Sequence, residues 1–399
     1  MTDSPTPADT IPPGAPWVRL RSASTQTFIY DRMVREAAPE AQPGDVVRVF
    51  DRHGALFGHA LYNPKSRIAL RMLNWDDTDV DEAFWRDALE RAVRLRTDTL
   101  RLDTATNAYR LVHAEGDELS GLVVDRYGDV LSVEVFSRGI WDRAEMLLPM
   151  LHELAGTQHH RVEVDERVLK LEGFKATPVY SGELPRSVNI TENGVRFRVD
   201  FATGHKTGFF CDQRENRVRL ASLVHGANVL DVCCYSGGFG IYAKTRGEAN
   251  EVTCVDLDEQ AVEAARKNAN LNQARVSTVH ADAFGYMRQM HTNGRRFGVV
   301  VLDPPKLVFG KSDEGEGRKK YHDLNRLAAA VVEPGGVLLT CSCSGAVDRE
   351  EFARLAIGAV RQAGRSCRIL DYTGAGPDHP VSPRCAESAY LKALWLHLT

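Results

Sequence analysis

The chain has 399 residues, more than one ordinary domain holds, so about two or three domains are expected. Its hydrophobic content of 43% and charged content of 26% are typical of a soluble globular protein, and no apolar run approaches the roughly twenty residues that a membrane span needs. The formal net charge of -4 argues against indiscriminate binding to nucleic acid but leaves room for a local basic face.

The N-terminal part of the sequence predicts a short leader and a small β-rich domain. Residues 1–16 are polar and proline-rich, without the basic start and apolar core of a signal peptide, and indicate a disordered leader. The domain predicted over 17–100 is a small β-barrel with strands at Asp45–Phe50, Ala55–Leu61 and Ile68–Leu73. A helix from Asp79 to about Leu100 completes this domain, because the apolar residues of that segment recur at helical spacing.

A different pattern, over 101–188, predicts a small central β-β-α-β-β domain. Strands at Gly121–Arg126 and Val130–Phe136 flank a hairpin turn at Tyr127-Gly128-Asp129. An amphipathic helix over Trp141–Leu154 separates them from strands at Arg161–Asp165 and Val168–Glu172.

The remainder, 189–399, opens with a hairpin at Asn193-Gly194 and then alternates strands with helices. This alternation implies a parallel sheet with right-handed crossovers, so the fold class is α/β with a Rossmann-like C-terminal domain. The charged, glycine-bearing stretch Lys311–Lys320 indicates a mobile loop. The predicted sheet strands are Val229–Val232, Glu251–Val255, Ser277–Val279, Gly298–Leu302 and Gly336–Thr340.

Acidic residues follow three successive strands of this sheet and predict a nucleotide-type pocket. The run Asp231-Val-Cys-Cys-Tyr-Ser-Gly-Gly-Phe-Gly240 leads from a strand into a helix, and its glycines let the backbone approach a ligand. Asp256 is placed to accept hydrogen bonds from two ribose hydroxyls, and Asp282 to meet an adenine amine. The order of these motifs resembles class I S-adenosylmethionine-dependent methyltransferases, whereas a Rossmann-like domain using another nucleotide is the alternative.

The next two strand ends indicate the chemistry. Leu302-Asp303-Pro-Pro-Lys306 resembles the box that holds an exocyclic amine in amino-methylating enzymes, but Lys306 stands where those enzymes carry an aromatic residue. Cys343, after the fifth strand, would face Asp303 across the same pocket. Methylation of cytosine C5 needs a thiolate that adds to C6 and an acid near N3, and these two residues can supply both.

The eight cysteines form no CxxC pair, so neither structural zinc nor a disulfide framework is expected, no metal is predicted, and a reducing cytoplasm fits best. Cys341 is a weaker candidate nucleophile than Cys343, and both could instead be small core residues. The cysteines interpreted as packing residues are Cys211, Cys233, Cys234, Cys254, Cys367 and Cys385.

Several segments together resemble the bacterial large-subunit ribosomal RNA cytosine-C5 methyltransferase I family. They are Gly121–Gly128, Ser181–Pro185, Gly204–Arg214, Asp231–Gly240, Asp303–Lys306, Ser342–Gly345, Asp378–Pro380 and Tyr390–Lys392. The resemblance covers most of the chain from about Asp45. It departs at Thr25–Tyr30, where family members carry a His-Pro-Trp motif.

The resemblance implies an N-terminal PUA β-barrel, the central domain and a C-terminal class I methyltransferase domain that forms 5-methylcytosine in 23S ribosomal RNA. It makes Cys343 the nucleophile and Asp303 its partner, and it lays Lys206–Arg214 over the cofactor. PUA-bearing relatives often dimerise, so a homodimer is left open. The substrate is either naked rRNA or a precursor of the large subunit. The expected S-adenosylmethionine contacts are Phe210, Asp212, Gln213, Asp231, Cys233, Tyr235, Ser236, Gly237, Asp256, Leu257, Asp282, Ala283 and Asp303.

A flipped cytosine must reach a buried pocket, so the RNA is expected to be single-stranded or locally opened. Two other functions stay open: N-methylation of guanine or adenine through Asp303, and a ribosome assembly factor that binds S-adenosylmethionine without turnover. The expected RNA contacts are Lys206, Lys306, Lys311, Arg318, Lys319 and Lys320, although the segment 311–320 could equally be only a solvated loop.

Overall fold

The computed structural model describes residues 16–22, 24–201, 208–310 and 313–399. The chain divides into two compact units. The first holds the residues up to Arg186 together with Pro377–Ser388, and the second holds Ser187–Gly376 with Ala389–Thr399. Apart from Pro16, the predicted leader lies outside the described residues. The domain boundaries at 100/101 and 188/189 stay predictions.

A six-stranded sheet begins the first unit, in the order β2-β6-β5-β4-β1-β3. Alternating buried residues such as Val18, Leu20, Val47 and Val49 form its core. The three strands predicted here are confirmed to within one residue. The strands are β1 (Trp17–Leu20), β2 (Phe28–Tyr30), β3 (Val34–Ala37), β4 (Val46–Phe50), β5 (Leu56–Tyr62) and β6 (Ile68–Asn74).

Helix α1 (Glu82–Arg94) begins where Asp81 accepts a hydrogen bond from the Phe84 amide at 2.9 Å. Its apolar face, which includes Trp85 and Leu89, packs into the core of the first unit. The predicted helix is confirmed, and a π-helical turn, Leu95–Thr99, continues it.

The first unit also contains a five-stranded sheet in the order β11-β10-β9-β8-β7. Its strands are β7 (Ala108–His113), β8 (Leu122–Tyr127), β9 (Val130–Val135), β10 (His159–Glu163) and β11 (Val179–Tyr180), and its helices are α2 (Arg138–Trp141), α3 (Ala144–Ala155) and α4 (Glu166–Glu172). The strand predicted at Val168–Glu172 is wrong, because that segment is α4. Asp165 caps this helix through the Arg167 amide, and Gly173 ends it with φ 65°. The last strand of the predicted unit is instead β11, and β7 is an additional strand.

The second unit opens with the predicted hairpin, β12 (Ser187–Glu192) and β13 (Val195–Asp200). Both turn residues are left-handed, with φ 49° at Asn193 and 81° at Gly194, as a type I′ turn requires. A seven-stranded sheet follows in the order β16-β15-β14-β17-β18-β20-β19, in which only pairs involving β20 are antiparallel. Its strands are β14 (Val229–Val232), β15 (Val252–Asp256), β16 (Ser277–His280), β17 (Phe297–Leu302), β18 (Val332–Ser342), β19 (Cys367–Thr373) and β20 (Lys392–Leu398).

Successive residues of the central strands pack into two different apolar clusters, as a sheet covered on both faces requires. Val299 and Val301 enter one cluster, whereas Val300 and Leu302 enter the other. The covering helices are α5 (Arg214–Val224), α6 (Gly238–Thr245), α7 (Glu259–Leu271), α8 (Ala283–Thr292), α9 (Glu314–Val331) and α10 (Arg349–Gln362). Among the described residues, no helix has the length and apolarity to cross a membrane.

The loop predicted at Lys311–Lys320 is wrong over most of its length, because α9 begins at Glu314. Acidic residues in the first turn, Glu314 and Glu316, suit a helix N-terminus. Lys311 itself lies outside the described residues.

Candidate functional site

The sheet order places the predicted site residues side by side along one edge. In the order of the strands, the residues that lie in or within two residues after β16, β15, β14, β17 and β18 are Asp282, Asp256, Asp231, Asp303 and Cys343. The parallel pairing brings Leu302 opposite Thr340, so Asp303 and Cys343 follow neighbouring strands at the same edge. Ligands bind at this carboxyl-end edge in open α/β sheets.

The four predicted acids lie close enough together that all of them affect the pKa of one thiol, that of Cys233. Burial raises the pKa of the Cys233 thiol, and the negative charges of four carboxylates raise it further. These carboxylates are Asp256, Asp303, Asp231 and Asp282. All four predicted acids therefore act on one small region of the second unit.

The loop between β14 and α6 has an unusual backbone. Cys233, Tyr235 and Gly237 all have left-handed dihedrals, with φ values of 60°, 47° and 77°. Such conformations are costly for non-glycine residues and cluster at functional sites. Ser236, also predicted as a cofactor contact, is buried in this loop, and its carbonyl accepts a hydrogen bond from Asn268 at 3.1 Å.

Asp231 is completely buried at the start of this loop. Its Oδ2 accepts a hydrogen bond from the Gly240 amide at 2.9 Å, and burial raises the pKa of its carboxyl to about 7. Only glycine fits at position 240, because a Cβ there would lie 2.3 Å from the sulfur of Cys254. The Oδ1 atom of Asp231 is buried and has no hydrogen-bond partner among the described residues.

Asp256 is held by two backbone amides, one on each oxygen: Tyr235 N lies 2.8 Å from Oδ2 and Asp258 N lies 3.0 Å from Oδ1. A carboxylate has about four acceptor sites, so this fixed group can still accept two hydroxyls. The neighbouring Leu257 side chain is 67% exposed and offers an apolar surface.

Asp282 has a structural role that the sequence left unassigned. Its Oδ2 accepts a hydrogen bond from the Gly285 amide at 2.8 Å and caps α8, whose first residue is Ala283. Asp282 is exposed, so its other oxygen is accessible from solvent.

A short 3-10 turn, Cys211–Gln213, brings two more predicted residues to the site. Gln213 donates from Nε2 to Asp303 Oδ2 at 3.0 Å, and Tyr390 donates its hydroxyl hydrogen to Asp212 Oδ2 at 2.6 Å. The ring of Phe210 lies edge-on to Tyr235, with centroids 5.0 Å apart. These contacts join the segment after the undescribed residues 202–207 to the loop and to Asp303.

Asp303 is the acid predicted to act with Cys343, so its protonation state bears directly on the predicted chemistry. Burial raises the pKa of its carboxyl to about 7, and the charge of Asp212 adds to the rise while the Gln213 amide opposes it. A carboxyl with this pKa can be protonated near neutral pH and donate a hydrogen bond.

The two candidate cysteines differ in accessibility. Cys341 is fully buried in β18, and burial raises the pKa of its thiol well above the ordinary value. Cys343 lies just beyond the end of β18 and is only partly buried. Cys343, which the sequence favoured over Cys341 as the nucleophile, is therefore the more accessible of the two cysteines.

Several residues of the site were missed from the sequence. Arg217 and Glu192 form a buried ion pair with two 2.8 Å contacts, and Arg217 also donates to the Phe210 carbonyl at 3.1 Å. Asn216 donates to Gln213 Oε1 at 2.6 Å and thereby orients its amide. The charged run at the start of α5 was the only sequence signal for Arg217. Its pairing with Glu192, 25 residues earlier, cannot be inferred from composition.

The predicted RNA contacts are not equally available. Lys306, Lys319 and Lys320 are exposed, whereas Arg318 is ion-paired with Glu314 and Glu351. Lys206 and Lys311 lie outside the described residues.

The buried oxygens test whether the site suits S-adenosylmethionine. Oδ1 of Asp212 and Oδ1 of Asp231 are both buried without a hydrogen-bond partner in the described part of the chain. Such atoms are costly unless a ligand donates to them, and a ligand with an ammonium group can do so. The residues present therefore fit a ligand that carries a cationic donor group, as S-adenosylmethionine does.

Comparison with known proteins gives matches over nearly the whole chain. The family model for S-adenosylmethionine-dependent methyltransferases matches residues 110–396, and that for PUA-like domains matches 23–75. Ribosomal RNA large subunit methyltransferase I of Vibrio vulnificus is 35% identical over 92% of this chain and 93% of its own length. The protein of the same name from Photobacterium profundum is 37% identical over 88% and 89%.

Solved structures are similar in fold. A Streptococcus mutans protein assigned as a SAM-dependent methyltransferase superposes with a TM-score of 0.80 at 19% identity, covering 95% of this chain and all of the other. Another structure, of a protein assigned as a methyltransferase and complexed with SAH, gives 0.79 at 19% identity over 93% of this chain and 95% of that one.

Proposed function

The chain belongs to the S-adenosylmethionine-dependent methyltransferases, in the family of ribosomal RNA large subunit methyltransferase I, and we propose that it forms 5-methylcytosine in 23S ribosomal RNA through a covalent bond between Cys343 and cytosine C6. Its methyl donor is S-adenosylmethionine. The observation that carries the proposal is the placement of a partly buried cysteine and a carboxyl with a pKa of about 7 after adjacent parallel strands.

In the proposed reaction, Cys343 attacks C6 as a thiolate, and the electron pair of the C5–C6 double bond shifts to C4–C5. The C4–N3 electron pair moves to N3, which takes the proton of Asp303. The cofactor, when bound, supplies an electrophilic methyl group. C5 then forms a bond to that methyl as the methyl–sulfur bond of the donor breaks and S-adenosylhomocysteine leaves, and N3 returns its proton to Asp303. Water next removes the C5 proton, and the electron pair of that C–H bond re-forms the C5–C6 double bond and expels the Cys343 thiolate. Gln213 holds the Asp303 carboxyl in place throughout.

We assign the cofactor to the edge formed by Asp231, Asp256 and Asp282. The support is the pinned Asp256 carboxylate and the two unpaired buried oxygens of Asp212 and Asp231. The other proposed contacts are the nearby residues predicted from the sequence: Phe210, Gln213, Cys233, Tyr235, Ser236, Gly237, Leu257, Ala283 and Asp303.

We further propose that single-stranded RNA approaches over Lys306 and the start of α9, where Lys319 and Lys320 are exposed. A PUA-like segment at residues 23–75 supplies a second means of binding RNA. The eight free thiols suit a reducing cytoplasm. Homodimerisation and the state of the RNA substrate, naked or within a precursor of the large subunit, are further points to test.

The test measures transfer of tritiated methyl groups to ribosomal RNA and to large subunits, followed by nucleoside analysis. Wild type should yield 5-methylcytidine, Cys343→Ala and Cys343→Ser should not, and Cys341→Ala should retain activity as the matched control. Full formation of 5-methylcytidine by Cys343→Ala would rule out the covalent route. Methylated guanosine or adenosine would indicate the N-methylating alternative, and no transfer by wild type would indicate a non-catalytic assembly factor.

A further inference from the structure

A buried lysine lies beside the proposed nucleophile. Lys392 begins β20, and only 5% of it is exposed. In the antiparallel pairing of β18 and β20 it stands opposite Ser342, the residue before Cys343. Its Nζ donates hydrogen bonds to the carbonyl of Ser344 at 2.6 Å and to that of Tyr390 at 2.8 Å. The ammonium is therefore tied to the residue that follows Cys343.

The segment around Cys343 is fixed on both sides. Ser342 donates its hydroxyl hydrogen to the Tyr321 oxygen at 2.9 Å, and the Tyr321 and Ser344 hydroxyls are 3.0 Å apart. Ser344 Oγ also accepts a hydrogen bond from the Val308 amide at 3.2 Å. Because the serines before and after Cys343 are both anchored, its position relative to Lys392 is set by the fold.

We propose that Lys392 is the positioning and activating residue for Cys343: its ammonium stabilises the thiolate, and its hydrogen bond to the Ser344 carbonyl holds the sulfur-bearing turn in place. A lysine ammonium has three hydrogens, and the two carbonyl bonds use two of them, so a thiolate can accept the third. The inference rests on the proposed function only in taking Cys343 as the nucleophile.

The charges around the pair agree with this role. Burial lowers the pKa of Lys392 to about 8, and the positive charge of Lys306 lowers it too, whereas Cys343 and Asp348 oppose the change with negative charge. The charge of Cys343 also contributes to the raised pKa of Tyr321 and of Cys341. With a pKa of about 8 the ammonium is mostly protonated at pH 7, so the proton released by the Cys343 thiol goes to solvent and Lys392 keeps its own.

The test follows alkylation of Cys343 by iodoacetamide in the cofactor-free protein from pH 6 to pH 10, with mass spectrometry of the Cys343 peptide. Thiolates alkylate and thiols do not, so the midpoint of the pH profile reports the pKa of Cys343. In wild type the midpoint should lie below the ordinary thiol value of about 8.5. In Lys392→Met it should rise, and the rate at pH 7 should fall by about ten-fold, the change expected when the thiolate fraction falls by that factor.

Lys244→Met is the matched control. Lys244 also donates to two backbone carbonyls, those of Ala249 at 2.6 Å and Asn250 at 2.8 Å. It lies near the end of α6, and its two partners precede β15, whereas Cys343 follows β18, so the two residues belong to opposite edges of the sheet. It should leave the alkylation profile unchanged. S-adenosylmethionine binding by calorimetry confirms that each variant is folded.

If the alkylation midpoint of wild-type Cys343 lies at or above the ordinary thiol pKa, the inference is wrong. This result needs no variant, so the inference can be tested even if Lys392→Met does not fold. An unchanged midpoint in folded Lys392→Met overturns it as well. Alkylation uses neither RNA nor methyl donor. An ordinary alkylation midpoint for Cys343 would therefore contradict the role of Lys392 even if wild type forms 5-methylcytidine. A midpoint below the ordinary thiol pKa would support that role whichever nucleoside is methylated.

Discussion

Replacing Asp303 with Asn should make the protein more stable and less active at the same time. In the folded chain, burial and the charge of Asp212 raise the carboxyl pKa from the ordinary 3.8 to about 7. A pKa that is higher in the folded than in the unfolded state adds stability below about pH 4, and this stability is lost as the pH rises through about 7. Asn cannot ionise, so the stability of the variant does not fall as the pH rises through about 7. Its side-chain oxygen can still accept the hydrogen bond from Gln213.

The size of the effect follows from the pKa. A rise from 3.8 to about 7 corresponds to an upper limit of roughly 4 kcal/mol. Because Asp303 is only partly buried, solvent screens part of this, and we expect about 2 kcal/mol in favour of Asp303→Asn at pH 8 and almost none at pH 4. Methyl transfer should fall by about 100-fold or more, since an amide cannot supply the acid's proton.

Urea denaturation at several pH values, followed by circular dichroism, measures the free energy of unfolding. The relevant transition is the one that S-adenosylmethionine shifts to higher urea. Asp282→Asn is the control, because Asp282 is exposed and Asn caps a helix about as well as Asp. Equal pH dependence in wild type and Asp303→Asn would refute the burial argument, and full activity of the variant would refute the acid role.

Three further predictions concern the ion pair, the cofactor and the RNA. Glu192→Gln should destabilise the second unit by about 3–5 kcal/mol in urea titrations because it leaves Arg217 buried without a counter-charge, and an unchanged midpoint would contradict this. Asp256→Ala should weaken S-adenosylmethionine binding by about 1.5–3 kcal/mol per lost hydrogen bond, so unchanged affinity in calorimetry would remove Asp256 from the site. Reversing the charge of Lys319 and Lys320 together should weaken RNA binding and flatten its salt dependence, whereas an unaltered salt slope would mean that neither lysine contacts phosphate.

The sequence predicted most reliably what depends on local pattern. The five parallel strands were predicted because apolar runs alternate with helical segments, and the left-handed turn at Asn193-Gly194 because few residues other than these adopt it. The error at Val168–Glu172 was avoidable. Asp165 and Gly173 are the N-terminal and C-terminal signals of a helix, and they outweigh the apolar residues between them.

What the sequence could not give depends on residues that are distant along the chain. Lys392 is 49 residues from Cys343, and only the antiparallel pairing of β20 with β18 brings them together. Glu192 belongs to the hairpin and Arg217 to α5, so the sequence around either residue does not predict the ion pair between them. Charged side chains in a sequence indicate a solvated surface by default, and burial beside a specific partner is a property of the tertiary fold.

The crowding of carboxylates also bears on how the proposed site discriminates between its ligands. Asp231 and Asp303 both have pKa values raised to about 7, so both are partly protonated at neutral pH, and a positively charged ligand would favour their ionised forms. A sulfonium donor with an ammonium group brings two positive charges to this edge, whereas the demethylated product has lost the charge on sulfur. If the acids hold the donor as proposed, electrostatics favour the donor over the product, and the same buried charge that destabilises the empty fold promotes exchange after each transfer.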